Sequence, residues 1–450
     1  MKKVRAVLKL PFLVAAVLCC LLIGCVTQQQ YRTDRKPAAY DPTSTNVSRA
    51  MVEVSSNYSI GYVEFDDQGW LYGAPPRQPS EIDTVLNWIK AEGDTNGLLI
   101  VVFVHGWKNN AAGNDTNVVS FHAVLDELGA IEREANHRRG AHKARRVVGL
   151  YVGWRGLSSD LEPFKELSFW NRKDAAEVVG HGAVIELLSR LEDLRNQINR
   201  QYASDVESGG RARSKLLILG HSFGGDVVYS ATAPVLIDRM AQNVDTNGVR
   251  QAPKTLGDLV VLLNPAFEAA RFQPLQNLAA TKAQAPDTNY WFPPGTNCTL
   301  AIFTSTADWA TGLAFPIGRS LSTALTTYVN KRQARENITA VGHFEPLITH
   351  TLKIRDPNAA VTKDTLTSGV INNSARTSAF MTNAGPYTNQ LVFDFLRCRL
   401  APTPHCVPND PVFNVAVDPA LIPDHDTIFQ ANFVHFLVQF LFEFSASGEK

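Results

Sequence analysis

The stretch that most constrains the fold of this 450-residue chain is Ser214 to Tyr229, Ser-Lys-Leu-Leu-Ile-Leu-Gly-His-Ser-Phe-Gly-Gly-Asp-Val-Val-Tyr. A short apolar run, Leu216 to Leu219, stops at Gly220, and a serine follows between glycines, Gly220-His221-Ser222-Phe223-Gly224. A strand that turns this abruptly into a helix brings the residues two before and two after the serine against crossing backbone, where only glycine fits. The serine is left strained, with its hydroxyl at the head of a helix whose first amides have no partner of their own. A Gly-rich turn with a helix-capping serine is the plainer alternative.

The surrounding chain alternates strand and helix. Tyr58 to Phe65 alternates as a strand, with Asp66-Asp67-Gln68-Gly69 as its turn and Trp70-Leu71-Tyr72 returning. Glu81 to Ala91 has helical spacing behind a candidate N-cap, Ser80. Leu98 to Val104 is continuously apolar, as strands covered on both faces are, and a helix is expected over Asn117 to Ala135. Val147 to Val152 is another such strand, Asp174 to Gln201 reads as one long amphipathic helix, and Leu259 to Leu263 and Leu300 to Thr304 follow. This order predicts an α/β fold: a mostly parallel sheet with helices on both faces.

The N-terminus carries a different signal. Basic residues precede an apolar stretch, Leu10 to Ile23, that is too short for a comfortable membrane span. It ends Leu22-Ile23-Gly24-Cys25, which resembles the lipobox of bacterial lipoproteins. That resemblance implies a signal peptide over 1–24, lipidation of Cys25, and attachment to the cell envelope. Val26, in place of an aspartate, points to the outer membrane. The polar stretch Thr27 to about Ser48 is expected to be a flexible tether, giving an organisation of 1–24 signal, 25–55 tether and 56–450 globular domain.

Charge is balanced at 43 Lys+Arg and 43 Asp+Glu, and loss of 1–24 removes four cations and no acid. No basic surplus remains to neutralise phosphates, which argues against nucleic acid as a partner. Of six cysteines, Cys398 and Cys406 flank a Pro-containing loop that a disulfide is expected to close, with Cys298 left over and buried.

Taken together, the chain resembles an α/β-hydrolase, most like bacterial esterase- and lipase-like members. The resemblance rests on Val104-His105-Gly106-Trp107 after a buried strand, on the Ser222 turn, and on a late histidine, in that order. It covers about 58–314 and 412–444, with an insertion over about 316–411 that is either a cap or plain elaboration. It implies a serine nucleophile, Ser222, and an oxyanion hole formed by the amides of Phe223 and Trp107. His425 follows the alternating strand Val412 to Val417 and is the expected base, with His343 first among the alternatives and His350 and His405 also open. Asp308, directly after the strand Ile302 to Ser305, is the expected acid, with Glu268 as the alternative. The implied activity is cleavage of small-molecule or lipid esters with no metal or organic cofactor. An acyltransferase, a thioesterase, or a non-catalytic envelope lipoprotein stay open beside it.

Overall fold

The structure, a computed structural model, describes residues 28–445 apart from 74–77, 140–143, 158–163, 209, 243–252, 254, 285–297, 360, 363, 369–391 and 408–409. The expected signal peptide and Cys25 lie outside the described residues. The strands are β1 (Ala38–Ala39), β2 (Val52–Val54), β3 (Tyr58–Glu64), β4 (Leu98–Val104), β5 (Arg146–Gly153), β6 (Lys215–His221), β7 (Leu259–Leu263), β8 (Leu300–Ser305), β9 (His350–Ile354), β10 (Phe393–Asp394), β11 (Cys398–Pro402) and β12 (Val412–Val417). They form one sheet in the order β1-β2-β3-β5-β4-β6-β7-β8-β12-β9-β11-β10. From β3 across to β9 every neighbouring pair is parallel, while β2 against β3, and β11 against both β9 and β10, are antiparallel.

The sheet separates two cores, and the pleat deals each strand's side chains between them. On β4, Leu98, Ile100, Val102 and Val104 enter one core, while Leu99, Val101 and Phe103 enter the other. The longer helices among the described residues are α1 (Glu81–Thr95), α2 (Thr116–Arg139), α3 (Phe164–His181), α4 (Val184–Gln201), α5 (Phe223–Ala241), α6 (Ala269–Gln284), α7 (Phe315–Ser322), α8 (Lys331–Ile338) and α9 (Ala431–Ser445). Apolar faces of α1, α4, α5 and α6 close the first core, and those of α2 and α9 close the second. Ser80 caps α1 in a reciprocal box with Asp83, which satisfies two orphan donors at once.

Four expectations need correction. The tether over 25–55 is, from residue 28 on, built into the sheet edge. β1 and β2 pair there, and Arg32 is fully buried with its guanidinium 3.2 Å from Glu53 and its Nε donating to the Ala111 carbonyl at 2.7 Å. Polar composition misled because these groups satisfy one another through long-range pairs. The helix expected over Asp174 to Gln201 is two, α3 and α4, broken at Gly182. The turn at Gly69 docks there, its carbonyl taking the Ala183 N–H at 2.8 Å, and a Cβ on Gly182 would meet that oxygen at 2.6 Å. Within the insertion, Thr388 to Leu396 has a sequence that resembles a helix, but its described part holds β10 instead. No disulfide joins Cys398 and Cys406. Cys398 starts the extended strand β11, whereas a turn in which the Cys406 N–H donates to Thr403 holds Cys406 beyond its far end, roughly 16 Å along the chain.

The insertion over 316–411 also contributes β9 and β11, which continue the sheet past β12.

Candidate active site

Trp107, Ser222, Phe223, Asp308 and His425 all follow the carboxyl ends of parallel strands. β6 runs into Ser222, which has φ +56° and ψ −121°, a conformation that costs a non-glycine residue about 1–3 kcal/mol. The crossing is tight enough to hold it there. A Cβ on Gly224 would lie 2.1 Å from the Val104 carbonyl, and one on Gly220 would lie 2.4 Å from the Gly224 carbonyl. The Ser222 N–H donates to Leu263, and its carbonyl accepts from Ala266, so β7 braces the turn.

Ser222 Oγ lies 2.7 Å from Nε2 of His425, and Nδ1 of His425 lies 2.9 Å from Oδ2 of Asp308. A carboxylate only accepts, so Nδ1 donates to Asp308 and Nε2 is left to accept from the serine hydroxyl. Asp308 is fixed in turn: the amides of Ala310 and Thr311 donate to Oδ1 at 3.0 and 3.1 Å, and the Thr311 hydroxyl donates to Oδ2. All three side chains are buried. Burial alone raises the carboxyl pKa of Asp308, but hydrogen bonds and charge from His425, together with Thr311, outweigh it and hold the group below its ordinary value. In His425 burial pulls the other way and loses to Asp308, so the imidazole sits above its ordinary 6.5.

The alternatives fall elsewhere. Nε2 of His343 lies 3.0 Å from Thr311 Oγ, whose proton already points at Asp308, so His343 donates and reaches the carboxylate only through that hydroxyl. Burial keeps its pKa low. Glu268 pairs with Lys173 at 3.1 Å and Arg319 at 2.7 Å. His350 stacks on Phe413 inside the sheet, and His405 meets Glu345 at the surface.

Phe223 is the first residue of α5, a position whose N–H has no acceptor within the helix. Opposite it, a Cβ on Gly106 would lie 2.7 Å from Ser222 Cβ, so the backbone leading into Trp107 lies directly against the serine. His105 shapes that turn, its Nε2 accepting from the Trp154 N–H at 3.1 Å while burial drives its pKa down to about 4. The Trp107 ring meets Phe169 edge-on at 5.2 Å, and Phe169 lies 4.6 Å from Phe223, forming an aromatic wall beside the turn.

One positioning group is not evident from sequence motifs. Asn264, at the end of β7 with φ +43°, donates to the His425 carbonyl at 2.9 Å and accepts from the Ser305 N–H at 2.9 Å. His221 Nε2 donates to the same His425 carbonyl at 2.9 Å. Together they pin the histidine loop over the serine. The signal was there as an Asn-Pro pair ending a strand, since Asn is the residue after glycine that best tolerates positive φ.

Among the described residues, one group of potential metal donors lies within 4.8 Å, His221, His425 and Asp426. His221 Nε2 and both His425 ring nitrogens are already engaged, which leaves too few free donors for a closed site.

No protein-family model and no curated protein matches the chain. Among solved structures it is similar to phospholipase PlaB from Legionella pneumophila. The structure in complex with thio-NAD matches at 12% identity and a TM-score of 0.20, over 59% of this chain and 47% of that one. A second structure of the same phospholipase matches at 12% and 0.19, over 59% and 48%. The chain thus spans about half the length of that phospholipase.

Proposed function

We propose that this chain is a serine hydrolase of α/β-hydrolase architecture that cleaves carboxylic esters through an acyl-enzyme on Ser222. The observation that carries the proposal is the buried hydrogen-bonded series Ser222 Oγ, His425 Nε2, His425 Nδ1, Asp308 Oδ2, at 2.7 and 2.9 Å. Ser222 Oγ attacks the ester carbonyl carbon while its proton passes to His425 Nε2. Asp308 holds the resulting imidazolium. The oxyanion of the tetrahedral intermediate is met by the amides of Phe223 and Trp107. The C–O bond then breaks, and His425 gives its proton to the departing alkoxide. Water attacks the acyl carbon with its proton going to His425, and that proton returns to Ser222 Oγ as the acid leaves.

The test is turnover of a short p-nitrophenyl ester together with labelling by a fluorophosphonate. Ser222→Ala should lower kcat about 10³-fold or more and abolish labelling, with the thermal midpoint little changed, since alanine keeps the Cβ and with it the turn at φ +56°. Undiminished turnover in Ser222→Ala would remove the serine from the mechanism.

A further inference from the structure

Immediately beyond Asp308 runs a strip of exposed apolar side chains. Trp309, Leu313, Ile317, Leu321 and Leu325 recur every fourth residue along the helical stretch Ala310 to Ser322 and its exit, while Thr311, Phe315 and Gly318 face inward. The strip is not grazing the surface: Trp309 is 60% exposed, Leu321 75% and Leu325 99%. Scattered single apolar residues need no explanation, but a continuous row does.

Two further observations say what covers it. From Trp309 to Arg335 the chain holds Arg319, Lys331, Arg332 and Arg335 and no carboxylate; Arg319 pairs with Glu268 and Arg332 with Glu336, the residue after Arg335, and Lys331 and Arg335 stand outside those two pairs. Lys331, Arg332 and Arg335 are exposed on α8, directly after the strip. An apolar row flanked by cations, with tryptophan at one end, matches a surface that is greasy below and anionic above. The second observation is position. The strip leaves the carboxyl end of β8, and the first described residues lie at that same rim: Gln29 and Tyr31 line a cleft with Lys108, Asn109 and Trp154, and the Tyr31 N–H donates to Glu64 at the end of β3. An acyl group on Cys25 would be four residues from Gln29, at most about 14 Å away. Trp70, 68% exposed, follows β3 at that rim as well.

We propose that the rim carrying Trp309, Leu313, Ile317, Leu321 and Leu325 docks on an anionic lipid bilayer, so that the Ser222 site opens toward esters held in that membrane. The docking stands apart from the hydrolase proposal; only the benefit, access to membrane esters, rests on it.

The experiment uses the full chain carrying Cys25→Ser, so that no acyl anchor contributes. All variants share the N-terminal apolar segment, and only differences among them count. Tryptophan emission is followed on titration with phosphatidylglycerol–phosphatidylcholine vesicles containing a brominated lipid, and with phosphatidylcholine vesicles alone. Quenching should be stronger on the anionic vesicles, weaken with salt, and lose a component in Trp309→Phe. The combined substitution Leu313→Ser, Leu321→Ser, Leu325→Ser should weaken binding at least about tenfold. Equal quenching in wild type and Trp309→Phe, or equal binding by the triple variant, overturns the proposal. So does a solution dimer that the triple variant dissociates while vesicles leave both unchanged, which would assign the strip to a second copy. Ser222→Ala must bind like its parent; binding without ester turnover in the wild type would sink the hydrolase proposal and leave the docking intact.

Discussion

At the scale of single residues, His425 is held between opposed influences. Burial favours its neutral ring, but the hydrogen bond and charge of Asp308, with Asp426 and Asp424 behind it, favour the imidazolium and win. A base with a raised pKa remains protonated, and idle, to a higher pH. Activity should therefore disappear as pH falls through a midpoint above 6.5. Asp308→Asn removes the charge and presents an amide to Nδ1, which stabilises the wrong tautomer. Its kcat should fall about 10³–10⁴-fold, and the acid limb of kcat/KM should move to lower pH. A pH–rate profile of Asp308→Asn with an unmoved midpoint would show that some other group sets the limb. Asn264 belongs to this scale too. Its grip on the His425 carbonyl depends on a backbone twist at the end of β7, and a tertiary hydrogen bond of that kind leaves no periodic trace in a sequence.

At the scale of elements, the serine turn depends on how closely α5 crosses the end of β4. Gly224→Ala would drive a Cβ to 2.1 Å from the Val104 carbonyl and 2.5 Å from that of His105. Neither oxygen belongs to a flexible side chain, so β4 and α5 must part. The expected cost is about 1–3 kcal/mol, seen as a lower thermal midpoint, with loss of ester turnover because His105 leads into the Trp107 turn. A variant that melts and turns over like wild type would mean the two elements are not in contact as described. Elements of this kind were the legible ones. Leu98 to Val104 and Leu216 to Leu219 announce strands because a strand covered on both faces must be apolar throughout. The break between α3 and α4 was not legible, since Gly182 inside an apolar period marks a helix end only once the Gly69 turn packs against it. Nor was β9: His350 to Ile354 is half polar and takes its place from β12, whose pairing residues Val415 to Val417 lie more than 60 positions later.

For the whole molecule, the largest departure from the sequence expectation is the N-terminal segment, which is fastened to the sheet by buried charge. Arg32 lies over the Tyr62 ring at 3.5 Å and pairs with Glu53, whose carboxylate also accepts from the Tyr62 hydroxyl at 2.6 Å and meets His122 at 3.2 Å. Burial would raise the Glu53 pKa, yet His122, Arg32 and Tyr62 outweigh it and bring it to about 2. A carboxyl whose pKa is depressed on folding adds stability above its unfolded value, near 4.5, and that stability is lost as pH falls through the folded value. The window is therefore pH 4.5 to 2, and the shift corresponds to about 3 kcal/mol. Arg32→Met strands Glu53 without its cation and should cost about 3–5 kcal/mol at pH 7 in urea unfolding. Because Arg32 is part of what keeps Glu53 ionised, the gap between wild type and Arg32→Met should narrow as the same measurement is repeated at pH 5, 4 and 3. A gap that stays constant down to pH 3 would mean that Arg32 contributes packing alone, and that residues 28–55 are held by shape and not by charge.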